Sequence, residues 1–192
     1  MTAALVVAIG YVLGSIPFAL IITRWRRGID VRRVGSGNPG ASNVWRSAGP
    51  MLGLSVLVLD CGKGATAVII ARRAGLGVDA QALASLAAIA GHVWPVWLKF
   101  RGGKGVATSA GVFAVLMPWA MVCATLVFVS TVALTRYASL GSLLGAWALA
   151  IAAVVLRLPW TLIAAAAVAA SLVTFRHREN IARLWRGTEL RL

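Results

Sequence analysis

Residues 2–23, 80–98, 106–134, 139–156 and 158–175 contain no Asp, Glu, Lys or Arg, and the stretch 51–71 contains only Asp60 and Lys63. Apolar runs of ~18 residues or more are long enough to cross a bilayer as a helix. Inside lipid each backbone N–H and C=O has to be satisfied internally, which leaves such segments little choice of fold. Only 12% of the residues are charged, about half the share in a soluble domain. The expected fold is an all-α polytopic membrane protein, one integral membrane domain over residues 1–192.

Two segments need a closer reading. Gly14, Ser15 and Pro17 are expected to bend the first span. No Lys or Arg precedes Arg24, so this span lacks the basic start of a cleaved signal peptide and is expected to be retained. The stretch 106–134 would be about 43 Å long as one helix, well beyond a ~30 Å hydrocarbon core. Two short helices with a tight turn at Met117-Pro118 also fit.

Charge distribution decides the count. The chain carries 19 Lys and Arg against 5 Asp and Glu, a net charge of +14. In a soluble protein that balance suggests nucleic acid. In a polytopic one it reflects the bias of Lys and Arg toward the cytoplasm, or an anionic lipid or substrate. With about seven spans and the N-terminus outside, 15 of the basic residues face the cytoplasm, 3 face outward and Lys63 lies in a span. With six spans the split is 10 to 8. The first arrangement is expected, with the C-terminus cytoplasmic. It puts three polar segments on the cytoplasmic side. Cys61 and Cys123 lie in apolar runs and are read as packing, not as a disulfide or metal site.

The first polar segment is Gly35-Ser-Gly-Asn-Pro-Gly-Ala-Ser-Asn-Val-Trp-Arg46. Its start matches G-x-G-x-x-G, but a span precedes it and no βαβ unit surrounds it, so a dinucleotide fold is rejected. Gly35, Gly37 and Gly40 let backbone N–H groups face an anion. Ser36, Ser42 and Asn43 add neutral donors, and Arg46 adds a fork suited to phosphate. The alternative is a plain turn. The second segment holds Gly102, Gly103, Lys104 and Gly105. It is not a Walker A loop, because Leu98 stands where the first glycine belongs and Gly105 follows the lysine. Thr108 lies in the first turn of the helix that follows, whose free N–H groups favour an anion beside Lys104. The alternative is a basic interfacial anchor. In the third segment, Arg176-His-Arg-Glu-Asn180, His177 and Asn180 are three apart and are expected to share a helix face. A helix-end cap is the alternative for His177. His92 reads as structural. Asp60 and Lys63, three apart inside a span, read as a pair that supports the site. No facing carboxylates serve acid–base chemistry, and no cluster has metal spacing.

The three segments together resemble the bacterial acyl-phosphate:glycerol-3-phosphate acyltransferases, the PlsY family. Residues 35–46 match its first motif with Ser42 for Thr, 102–108 its second and 176–180 its third. Asp60-x-x-Lys63-Gly64 and Ser139-Leu140-x-Ser142 are also similar, and the likeness covers essentially the whole chain.

The resemblance implies transfer of a fatty acyl group from acyl phosphate to the 1-hydroxyl of sn-glycerol 3-phosphate. The products would be lysophosphatidate and phosphate, in the first acylation of phospholipid synthesis. It implies a multi-pass protein of the bacterial plasma membrane with its site toward the cytoplasm. No cofactor, metal or nucleic acid is expected; the implied partners are the two substrates, membrane lipid and the enzyme that makes acyl phosphate. The implied catalytic residues are Ser36, Arg46, Lys104, His177 and Asn180. Gly35, Gly37, Asn38, Gly40, Ser42, Asn43, Gly102, Gly103, Gly105, Thr108 and Ser142 would bind substrate. Asp60, Lys63, His92 and Glu179 would support them. For the hydroxyl proton, the donor's own phosphate and His177 are the rival acceptors, and Ser36 as an acylated nucleophile is a third route. A small transporter and a non-catalytic lipid-binding scaffold are the competing classes.

Overall fold

A computed structural model describes residues 1–192, and every regular element in it is helical. Ten α-helices follow one another: α1 (Ala3–Gly14), α2 (Phe18–Arg27), α3 (Ala41–Ala48), α4 (Pro50–Arg73), α5 (Val78–Val93), α6 (Val106–Leu116), α7 (Pro118–Thr135), α8 (Ala138–Val155), α9 (Trp160–Arg176) and α10 (Arg178–Trp185). Five spans are long and apolar enough to cross a membrane, the first being α1 and α2 together; α9 and α10, bent by 60°, qualify as a sixth only when taken as one. About seven spans were expected; the short apolar helix α6 is not long enough to count as another. At 1.5 Å per residue it reaches only about 16 Å, roughly half a hydrocarbon core.

Local chemistry sets the breaks. Pro17 has no N–H and restricts Ile16, so α1 stops at Gly14 and α2 starts at Phe18. The expected bend is there. The first span runs on past residue 23 to Arg27, and Gly28 ends it in the left-handed region at φ 66°. Met117 interrupts the long apolar stretch, and Pro118 opens α7 at the helix position where a missing N–H does no harm. The two-helix reading of 106–134 is therefore the one realised.

The chain forms two compact units, Met1–Val112 and Phe113–Leu192. In the first, small residues let backbones touch. A methyl at Gly14 would overlap the Ala88 carbonyl, and one at Gly91 the Tyr11 carbonyl, so α1 and α5 lie backbone to backbone. Lipid supplies no hydrophobic drive between helices, so such close van der Waals packing carries the association. Gly64 against Thr108 and Gly111 against Cys61 do the same for α4 and α6. Ala19, Val31, Val44 and Val56 form a core under the loop between α2 and α3. In the second unit Gly141 and Gly145 of α8 face Phe128 and Ala124 of α7, and Ala165, Ala166, Ala169 and Ala170 of α9 are buried.

Candidate active site

In the first unit, the loop between α2 and α3 is held at both ends. Asp30 accepts from the Arg32 backbone N–H and side chain and from Arg24. The Arg32 hydrogen bond is the main reason its carboxyl sits well below the usual carboxylate range. At the other end Asn43, 1% exposed, works inside the loop. Its Oδ1 accepts from Ser36 N–H at 2.9 Å, and Nδ2 donates to the carbonyls of Val31 and Val34, each at 3.0 Å. The sequence suggested a donor to an anion; the side chain instead shapes the loop that presents Ser36. Gly35 has φ +58°, and a methyl there would overlap Asn43 Oδ1. Only glycine fits that turn without strain. Ser36 and Ser42 are exposed, Gly37, Asn38, Gly40 and Arg46 partly buried. Gly40 caps α3 without a side chain, which leaves the helix's first N–H groups to other acceptors.

The second loop folds back on the end of α5. Gly102 and Gly103 N–H donate to the carbonyls of Val93 and His92 at 3.1 and 3.0 Å. Gly105, at φ +84°, leads into α6. Lys104 between them is half-buried. In the first turn of α6, Thr108 Oγ1 and Ser109 Oγ are buried without a hydrogen-bond partner in the protein. Such groups are costly to leave unsatisfied, so they suit a polar ligand. Beneath the loop, Lys63 Nζ lies 2.7 Å from Asp60 Oδ1 and His92 Nδ1 lies 3.6 Å from it. The expected Asp60–Lys63 pair is present, with His92 added. One small cavity is lined by Pro39 of the first motif, Gly102 and Gly103 of the second, and all three of these side chains.

The second unit holds the third motif. His177 is the break between α9 and α10 rather than part of one helix with Asn180. No Pro or Gly marks that bend in the sequence. His177 Nδ1 is 2.8 Å from the Val173 carbonyl. A carbonyl only accepts, so the Nδ1 position carries a proton and Nε2 bears the lone pair of the neutral ring. Asn180 donates to Glu189 Oε1 at 2.6 Å, which also accepts from Ser139, while Arg183 binds Oε2. Ser142 Oγ donates to the Ala138 carbonyl of its own helix. Glu179 is exposed in the first turn of α10, where a negative charge suits the helix dipole.

Glu189 was not among the candidates from sequence. Its signal was rarity: a lone acid in a basic tail, one of only 5 acids in the chain. Three of those five, Asp30, Asp60 and Glu189, are in ion pairs with side chains at most 11% exposed.

Residues 4–187 match the family model described as glycerol-3-phosphate acyltransferase. The chain belongs to the glycerol-3-phosphate acyltransferase family. A glycerol-3-phosphate acyltransferase of Myxococcus xanthus is 50% identical, with all of both chains covered. One of Desulforamulus reducens is 41% identical over all of this chain and 96% of its own. A crystal structure of PlsY, an integral membrane glycerol 3-phosphate acyltransferase in its glycerol 3-phosphate form, matches with a TM-score of 0.95. It is 37% identical, covering all of this chain and 96% of that one. Its lysophosphatidic acid form matches at 0.93 and 36% identity, with the same coverage. This acyltransferase is thus a multi-pass membrane protein with the PlsY fold.

Proposed function

We propose that this acyltransferase takes its acyl group from acyl phosphate and places it on the 1-hydroxyl of sn-glycerol 3-phosphate. The solved relatives hold glycerol 3-phosphate in one case and lysophosphatidic acid in the other, the acceptor and product of that reaction. The observation that carries the donor assignment is the pair of glycine loops in one unit, which bear Ser36 and Arg46 in one case and Lys104 in the other. Phosphate is the chemistry both loops suit.

An acyl phosphate is a mixed anhydride, so its phosphate is a competent leaving group. The glycerol oxygen forms a bond to the acyl carbon, and the bond from that carbon to the phosphate oxygen breaks. The hydroxyl proton passes to the departing phosphate, which leaves as hydrogen phosphate. The protein's part is to position the reactants, an effect worth several kcal/mol, and to stabilise charge gathering on phosphate. Arg46, Lys104 and Ser36 bind phosphate, while the Gly102 and Gly103 N–H groups, taken by the Val93 and His92 carbonyls, shape the loop that carries Lys104. His177 and Asn180 orient the glycerol phosphate. Glu189 fixes the Asn180 amide with its nitrogen toward the carboxylate, so Oδ1 is the end that can accept from a hydroxyl. The active site faces the cytoplasm of a bacterial inner membrane, as the excess of Lys and Arg on that side supports.

The test is lysophosphatidate formation by the purified, detergent-solubilised protein from radiolabelled glycerol 3-phosphate. Palmitoyl phosphate, palmitoyl-CoA and an acyl carrier protein thioester are offered in parallel. Product from the acyl phosphate alone is expected. Product only from a thioester overturns the donor assignment.

A further inference from the structure

The buried charges under the second loop have no part in the chemistry above. Asp60 and Lys63 lie on α4 and His92 on α5, inside spans, with side chains 2%, 3% and 7% exposed. Ionisable groups at such depth are costly and are held for a purpose. Lys63 Nζ bonds Asp60 and also donates to the Ile16 carbonyl at 2.9 Å, in the break between α1 and α2. On the far side of Asp60 stands the His92 ring. Its other nitrogen, Nε2, faces Gly103 so closely that a methyl on Gly103 would overlap it. The ring packs against the loop and lines the small cavity beside it. It is a floor on which Gly103 rests.

We propose that Asp60, Lys63 and His92 form a positioning triad that sets the height and register of the Gly102–Gly105 loop, and so the placement of Lys104 on the phosphate of glycerol 3-phosphate. Lys63 neutralises Asp60 and anchors it to the helix break. Asp60 fixes which way the imidazole turns. The imidazole supports Gly103, while the His92 and Val93 carbonyls take the N–H groups of Gly103 and Gly102. The link from loop to ligand rests on the phosphate-binding role proposed above; the link from triad to loop does not.

Two measurements test it. Hydrogen exchange on the detergent-solubilised protein reads the loop without any substrate. In His92→Ala, and in Asp60→Asn/Lys63→Gln, which removes both charges together, the Gly102 and Gly103 amides should exchange at least tenfold faster than in the native chain. Amides in the middle of α5 should be unchanged. Unchanged exchange at Gly102 and Gly103 overturns the proposal, whatever the enzyme does.

The second is a double-mutant cycle on KM for glycerol 3-phosphate. Gly103→Ala should raise KM strongly, and adding His92→Ala should lower it again, because the ring that the methyl strikes is gone. Gly102→Ala is the control. A methyl there meets the backbone carbonyl of His92 and Pro95, and removing the ring relieves neither, so its losses should add. Additive losses for the 103 pair overturn the triad. A native protein inactive with acyl phosphate, but showing the exchange pattern, overturns only the donor assignment.

Discussion

The Asn180 side chain donates to Glu189 Oε1 at 2.6 Å, tying a motif residue of α10 to the last acidic side chain of the chain. Ser139 of α8 donates to the same oxygen and Arg183 to the other. Glu189→Ala therefore strands three polar partners at once. Leaving buried donors unsatisfied costs about 1–3 kcal/mol each, and a broken buried ion pair about 3–5; Arg183 is 31% exposed, so the lower part of that range applies. The expected loss is about 2–4 kcal/mol, read as a fall in the unfolding temperature in detergent, with KM for glycerol 3-phosphate rising as Asn180 loses its hold. A Glu189→Ala protein as stable as the native one would show that the tail is not clamped this way.

The same cluster predicts a pH dependence. Burial alone would raise the Glu189 pKa, but hydrogen bonds from Asn180, Ser139 and Arg183 outweigh it and hold the carboxyl below its ordinary value. A depressed carboxylate stabilises the fold above its unfolded pKa, and that stabilisation fades as pH falls through the folded one. The difference in unfolding temperature between the native chain and Glu189→Gln should therefore be constant near neutrality. It should close only below the usual carboxylate range. Closure already near neutral pH would mean that another group titrates.

Gly35→Ala tests the first loop. An L residue at φ +58° costs about 1–2 kcal/mol, and the methyl must also displace Asn43 Oδ1, which holds Ser36. The expected loss is about 2 kcal/mol or more, with activity falling further than stability. Asn43→Ala should give the same phenotype, and the double variant should be little worse than either. Fully additive losses would separate the two residues and break the account of the loop.

What the sequence made legible was whatever depends on neighbours in the chain. The bend at Gly14–Pro17 and the interruption at Met117-Pro118 follow from proline chemistry, which acts within a turn. Apolar length gave the spans. Contacts distant in sequence were out of reach. Asn43 looked like a ligand donor because its partners, Val31 and Val34, are backbone carbonyls that leave no mark in composition. Glu189 reaches Ser139 across 50 positions. The break at His177 has no punctuation to announce it. His92 was readable as structural, but its place between Asp60 and Gly103 needed the fold.

Arg46→Lys bears on phosphate binding. Lysine keeps the charge and loses the planar fork that binds phosphate at two points. A hydrogen bond to a charged group is worth about 1.5–3 kcal/mol, so kcat/KM should fall about 10- to 100-fold with stability little changed. A fully active Arg46→Lys enzyme would remove the two-point contact from the mechanism.

His177 decides where the proton goes. The Val173 carbonyl holds a proton on Nδ1, so the ring can accept at Nε2 and the geometry by itself permits a general base. Removing such a base costs about 10²- to 10⁴-fold in rate. If the departing phosphate takes the proton instead, the ring only orients the acceptor. His177→Gln can keep a donor toward Val173 and a polar atom toward the substrate. On the substrate-assisted route it should retain kcat within about tenfold and raise KM for glycerol 3-phosphate. The kcat–pH profile of the native enzyme should then show no limb that disappears in the variant. A drop of several hundredfold in kcat, together with loss of an imidazole limb from the profile, would return the proton to His177 and leave the phosphate as a leaving group only.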